Sequence, residues 1–307
     1  MQVTLRSPIH IDGTGLHSGA SVRLTVHPAS PDYGIWFRRT DILLGDAMIP
    51  ARWDSVEQTA LCTRITNNAG ASVSTIEHLM AALAGCGVHN ALIELDGSEV
   101  PILDGSAAGF VRAILKTGVI QQDVPVRAIK LLKEVSVQRG DASATLTPAA
   151  ELSIDFQIDF ADIAIGRQIK ALNMANGSFV RELCDSRTFC SQADVEAMQA
   201  SGLALGGDPA VNAVVFDGDK VVSPGGLRYR DEPVRHKMLD ALGDLALAGA
   251  PILGRYLGLR SGHSLTNELL RELFADPTAW RYVECSAKEA ARLPGAGVHI
   301  AEIPAVA

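Results

Sequence analysis

Twice along its 307 residues the chain passes through strand patterns and then closes with a helix, a strand and a helix. The first trio is the helix of Ser74-Thr-Ile-Glu77-His78-Leu-Met-Ala-Ala-Leu-Ala-Gly85, the strand Asn90-Ala-Leu-Ile-Glu-Leu95, and a helix from Ala107 to Lys116 ending at Gly118. The second is a helix over about 232–248, a strand at 252–259 and a helix from about His263 to Ala275. The first helix of each trio carries a histidine near its start, His78 and His236. This order predicts the α+β class, with two duplicated β-α-α-β two-layer domains packed face to face. The character of the chain resets around Gln121-Gln-Asp-Val-Pro125, so the domains are expected at 1–124 and 125–307. If they face each other, His78 and His236 can meet in the cleft between them.

The smaller signals fill in this frame. Val22-Arg-Leu-Thr-Val26 alternates as a half-buried strand, after the glycine-rich turn Gly13-Thr-Gly-Leu-His17-Ser-Gly19. His17 is either a turn residue with a backbone partner or a contact for a ligand or substrate. Ser74 and Glu77 fit the capping box S-x-x-E, which starts a helix and gives Glu77 a purely structural use. Strand patterns at 129–138, 142–147 and 152–160 open the second half, followed by a helix at 192–200. Gly202-Leu-Ala-Leu-Gly-Gly207 reads as a loop running into a buried strand, Val211-Asn-Ala-Val-Val215.

Composition excludes several classes. Apolar residues make up 47% and charged residues 20%, enough for a large core and incompatible with global disorder. A net charge of −8 with no basic run argues against nucleic acid. No apolar segment approaches the ~20 residues that span a bilayer, and the first residues carry no signal-like apolar stretch. Cys62, Cys86, Cys184, Cys190 and Cys285 are scattered and odd in number, which suits a reducing cytoplasm.

The chemistry concentrates in Arg235-His-Lys-Met-Leu-Asp-Ala-Leu-Gly-Asp-Leu245. At ~100° per residue, His236, Asp240 and Asp244 share one stripe, opposite Met238, Leu242 and Leu245. The stripe is either a solvated polar face or a set of metal ligands. Two histidines and a carboxylate with a fourth position left for water make a catalytic zinc site, and His78, His236 and Asp240 fill that pattern. Ferrous iron suits the same donors. A hydrolase also needs a base for the water, an oxyanion donor and an acid for the leaving group. Glu77, Thr188 and His263 are the candidates, with Asp244 holding His263 charged and oriented.

Seven segments carry a resemblance: Gly15-Leu-His-Ser-Gly19, Ser74-Thr-Ile-Glu-His-Leu-Met-Ala-Ala-Leu83, Pro101-Ile-Leu-Asp-Gly-Ser-Ala107, Ser186-Arg-Thr-Phe189, Leu205-Gly-Gly207, Arg235-His-Lys-Met-Leu-Asp-Ala-Leu-Gly-Asp244 and Ser261-Gly-His263. In this order, over about residues 4 to 275, the chain resembles the UDP-3-O-acyl-N-acetylglucosamine deacetylases, zinc amidases of lipid A biosynthesis in Gram-negative bacteria. The resemblance implies release of acetate from the 2-acetamido group of an acylated UDP-glucosamine, between two β-α-α-β domains. It implies zinc on His78, His236 and Asp240, Glu77 as general base, and His263 as general acid or cationic stabiliser. Asp244 is then the partner of His263, Thr188 the oxyanion donor, and Lys237 a substrate contact. Phe160 is placed near the nucleotide, Phe189 and the 203–215 region with Leu203 and Gly207 along an acyl passage, and Cys62 among the substrate contacts. Ordinary core remains the alternative for each passage residue. The chain departs from the family pattern at Cys190-Ser191, where Gly-Phe is usual, at Asp208, where serine is common, and at Arg260, where lysine is frequent. The first two bear on acyl length and the third on substrate contacts. The expected protein is a cytoplasmic monomer, able to sit peripherally at the inner membrane.

Two rivals stay open. One is a zinc amidase for another acylated sugar or amide, which substrate profiling separates. The other is a non-catalytic acyl-chain or nucleotide-sugar binding protein, which predicts no stoichiometric zinc and little loss on His236→Ala.

Overall fold

The computed structural model of the chain describes residues 1–59 and 61–305. In the first half, a five-stranded sheet runs in the order Ile9–Thr14, Ser21–Pro28, Ala91–Leu95, Ile35–Arg39, Met48–Pro50. Ala91–Leu95 pairs antiparallel with Ser21–Pro28 and parallel with Ile35–Arg39. Alternation sets the faces: Val22, Leu24 and Val26 point inward from one strand, Ala91, Ile93 and Leu95 from its neighbour. Two helices cover that apolar face, α1 (Glu77–Gly85) and α2 (Ala108–Thr117). The chain leaves them through left-handed glycines, Gly87 at φ 71° and Gly118 at φ 82°, as helix ends prefer.

The second half repeats the plan on a seven-stranded sheet. Its centre, Ile252–Leu259, pairs antiparallel with Ala142–Pro148 and parallel with Ser153–Asp159 and Arg127–Leu131. The expected single strand at 129–138 is two, Arg127–Leu131 and Val135–Arg139, in different parts of the sheet. Leu132-Lys-Glu between them is exposed and carries the turn. After α3 (Ser178–Glu182) comes α4 (Gln192–Ala200), capped by Ser191, whose Oγ accepts from the Asp194 N–H at 3.0 Å. The second trio is α5 (Glu232–Ala246), the central strand and α6 (His263–Ala275). A short helix, α7 (Ala287–Ala290), follows the edge strand Trp280–Glu284.

Helices α1 and α5 pack directly on each other, layer against layer. Gly243 makes the closest approach: a Cβ there would strike the Glu77 carbonyl oxygen of α1. One apolar core runs through both halves, from Leu24, Phe37 and Phe110 to Leu146, Phe156 and Leu269. Burying each such side chain contributes ~1.5–3 kcal/mol. The structure is the α+β, two-layer, duplicated architecture expected from the order of elements.

Candidate active site

Because α1 and α5 face each other, the polar stripe of α5 meets a helix and not water. His236, Asp240 and Asp244 are 3%, 4% and 3% exposed, which removes the solvated-face reading. Their neighbours on α1 are Glu77 and His78, each 4% exposed. The capping box does not form: no side chain caps α1, and Glu77 Oε2 instead accepts the Thr63 N–H at 3.0 Å. Thr75 occupies φ 58°, a conformation that turns the chain sharply just before the helix.

The His78 and His236 rings lie edge to face with centroids 5.0 Å apart. Their Nε2 atoms stand 3.6 and 3.4 Å from Asp240 Oδ1, too long for good hydrogen bonds. Asp240 Oδ1 is buried with no hydrogen-bond partner among the described residues. The other oxygen, Oδ2, accepts from Lys237 Nζ at 2.8 Å. Burial would raise the Asp240 pKa, but His236 and Lys237 outweigh it and hold the carboxyl well below its usual range. Burial pushes His236 down to about 4, so the ring is neutral. Its Nδ1 lies 3.0 Å from the Ser186 carbonyl, which can only accept, so Nδ1 carries the proton and Nε2 the lone pair. One atom from each of the three residues lies within 4.8 Å of the others. An orphaned carboxylate oxygen and two imidazoles, one with its lone pair directed by the backbone, fit a divalent metal ion.

Beside this group stand a histidine and two carboxylates. His263, the first residue of α6, places Nε2 3.8 Å from Glu77 Oε1 and 3.9 Å from Asp240 Oδ2. Its Nδ1 bonds Asp244 Oδ2 at 2.9 Å, and Thr63 Oγ1 donates to Asp244 Oδ1 at 2.6 Å. Burial opposes the charge on His263, yet the Asp244 and Glu77 carboxylates prevail and push it up to about 9. Burial also raises Glu77, against the pull of His263 and His78.

These groups open onto a cavity of about 520 Å³. Glu77, His78, Thr188, His236, Lys237, Asp240 and His263 all line it, as do His17, Phe160, Phe189, Gly207, Cys190, Ser191 and Asp208. Thr188 is fixed by its main chain on both sides, N–H to Gly105 O and O to Val214 N, each at 2.8 Å. Phe189 packs edge-on against Phe160 and His236, at 5.3 and 6.2 Å between centroids. Asp244 sits behind His263 and off the cavity wall. Cys62 lies off the wall too, buried near Glu77, with its thiol pushed up to about 11 by burial. Leu203 is 38% exposed and does not line the cavity, and Arg260 pairs with Asp159 and Asp141 on the surface. Sequence reasoning missed Thr63, which serves both Glu77 and Asp244, and the Ser186 carbonyl. Nothing in a single sequence flags either, since one acts through its backbone carbonyl and the other reaches its partners from the residue before the strand Arg64–Thr66.

Two imidazoles and a carboxylate open to a cleft, flanked by a carboxylate and a charged histidine, define a hydrolase of the metal-assisted class. The family model described as UDP-3-O-acyl N-acetylglycosamine deacetylase matches residues 2–275, and the chain belongs to that family. It is 49% identical to the UDP-3-O-acyl-N-acetylglucosamine deacetylase of Phenylobacterium zucineum over 91% of this chain and 95% of that protein. Relatives of the same name from Haemophilus influenzae and Shewanella frigidimarina are 43% and 42% identical. These alignments cover 94% of both chains and 97% and 99% respectively.

Proposed function

We propose that the protein hydrolyses the 2-acetamido group of a 3-O-acylated UDP-N-acetylglucosamine, giving acetate and the acylated UDP-glucosamine that commits the sugar to lipid A. The observation that carries this reading is the meeting of His78, His236 and the orphaned Asp240 oxygen beside Glu77 and His263, in a chain of this family. Zinc is the metal we assign to His78, His236 and Asp240; when bound it polarises the amide carbonyl and brings the pKa of water toward neutrality.

The rest is work for the protein's own groups. Glu77 takes the proton of the attacking water, a task suited to a carboxylate whose pKa burial has raised. The water oxygen bonds to the acetyl carbon as the carbonyl electron pair moves onto oxygen, and the return of that pair then breaks the C–N bond. His263, kept cationic by Asp244, gives its proton to the departing nitrogen. Thr188 donates its hydroxyl to the developing oxyanion, and Lys237 neutralises Asp240 while facing the cavity. Phe189, Phe160 and Gly207 form the passage for the acyl chain and its approach from the nucleotide. In this scheme 1–124 and 125–307 are the two domains, the first supplying Glu77 and His78 and the second the remainder. Among the described residues no helix is long and apolar enough to cross a membrane. We place the enzyme in the cytoplasm as a monomer that meets its amphiphilic substrate at the inner-membrane surface.

Purified protein assayed for metal content and for acetate release from acylated and unacylated UDP-N-acetylglucosamine tests the reading. Stoichiometric zinc with turnover of the acylated sugar supports it. Binding of the sugar without acetate release would make the chain a carrier instead.

A further inference from the structure

Glu99 is a buried carboxylate, 4% exposed, that the chemistry above does not use. Its Oε1 accepts the His17 N–H at 2.9 Å and the Thr75 hydroxyl at 3.0 Å, and its Oε2 accepts the Ser18 N–H at 2.8 Å. The three donors come from two places. His17 and Ser18 belong to the turn at 15–19, whereas Thr75 is the left-handed residue that launches α1 with Glu77 and His78. The turn is in turn stitched to the 204–207 loop of the other half. Leu205 N–H donates to His17 O at 3.3 Å and Gly206 N–H to Leu16 O at 3.0 Å. Gly206 lies so close to this turn that a Cβ would collide with the Gly15 carbonyl oxygen. Leu16, His17, Thr75, Ala204 and Gly207 all line the cavity.

We propose that Glu99 is a positioning residue that sets the wall of the acyl cavity in register with the catalytic helix, by clamping the 15–19 turn to Thr75. The Leu16 and His17 carbonyls are then presented to the 204–207 loop, which closes the wall from the opposite half. The functional side of this inference rests on the proposed deacetylation, because the wall matters to an acyl chain.

Glu99→Gln tests it. The amide NH2 would face one of the turn's N–H groups, donor against donor, and the clamp opens. Hydrogen exchange at the Leu205 and Gly206 amides should then quicken about tenfold, with the later turns of α1 unchanged. In turnover, KM for a long-chain 3-O-acyl substrate should rise about tenfold while kcat changes less than about threefold, and a short-chain analogue should show little KM change. A residue that only stabilised the fold would lower the melting temperature without this split. Gly206→Ala breaks the same latch from the other side. It should reproduce the pattern, and the double variant should be clearly less than additive. Unchanged exchange at 205 and 206 in Glu99→Gln, or full additivity, overturns the proposal. Should Glu99→Gln not fold, Glu99→Asp, which keeps the charge but shortens the clamp, is measured in its place with the same expected quickening at 205 and 206. If the wild type releases no acetate from any acylated UDP-sugar, the functional reading fails, and the exchange rates alone still decide the clamp.

Discussion

Glu77 and His263 face each other across 3.8 Å, and the proposed reaction asks opposite things of them, a base from one and an acid from the other. Burial lifts the Glu77 carboxyl, which makes it a better base near neutral pH, and two carboxylates keep His263 charged. Glu77→Gln separates chemistry from structure. The glutamine oxygen can still accept the Thr63 N–H, so the melting temperature should hold or rise, metal should remain, and turnover should fall ~10²–10⁴-fold. Full activity in that variant would leave Glu77 a structural residue. Asp244→Asn addresses the other partner. His263 must be protonated to act as acid, so the rate should fall as pH rises through its titration, near about 9. Removing the Asp244 charge lowers that titration, so the falling limb of the kcat/KM profile should move ~1–3 pH units toward neutrality. A limb that does not move would mean that Asp244 is not what keeps His263 charged.

At the scale of elements, the site exists because two helices approach through one glycine. At Gly243 any Cβ meets the backbone of α1 at Glu77, which cannot swing aside as a side chain can. Gly243→Ala should therefore separate α1 from α5, costing ~1–3 kcal/mol of stability and weakening metal binding, because the proposed ligands are divided between the two helices. Calorimetry and metal titration by chelator competition check both effects. The same packing explains what the sequence could and could not convey. Helix α4 and the strand Ile252–Leu259 lie where local pattern put them, because capping and alternation are local. The Ser74–Glu77 box fails because Thr75 turns the other way and Thr63 claims the carboxylate. The spacing of the α5 stripe leaves both water and metal open, since periodicity reveals a face and never what covers it. Thr63 and Glu99 stayed hidden for a related reason: their partners are 14 to 181 and 24 to 82 positions away.

Across the whole molecule, the duplicated plan makes the centre a joint between halves. His78 comes from the first half and His236 and Asp240 from the second, and each half alone offers an incomplete donor set. The buried Asp240 Oδ1 faces the two imidazoles at 3.4 and 3.6 Å with no hydrogen-bond partner among the described residues, a burial that is unfavourable for a polar atom unless an ion satisfies it. An ion bound by the folded protein alone adds RT ln(1 + [L]/Kd), about 3–4 kcal/mol at 100 to 1,000 times Kd. Chelation should therefore do two separable things. It should abolish acetate release, and it should lower the melting temperature by several degrees, with both restored by one equivalent of zinc. His78→Ala removes the ligand proposed for the first half, so chelation should shift its melting point far less than that of the wild type. If chelation left the wild-type melting curve untouched while stopping turnover, the ion would serve the chemistry without joining the halves.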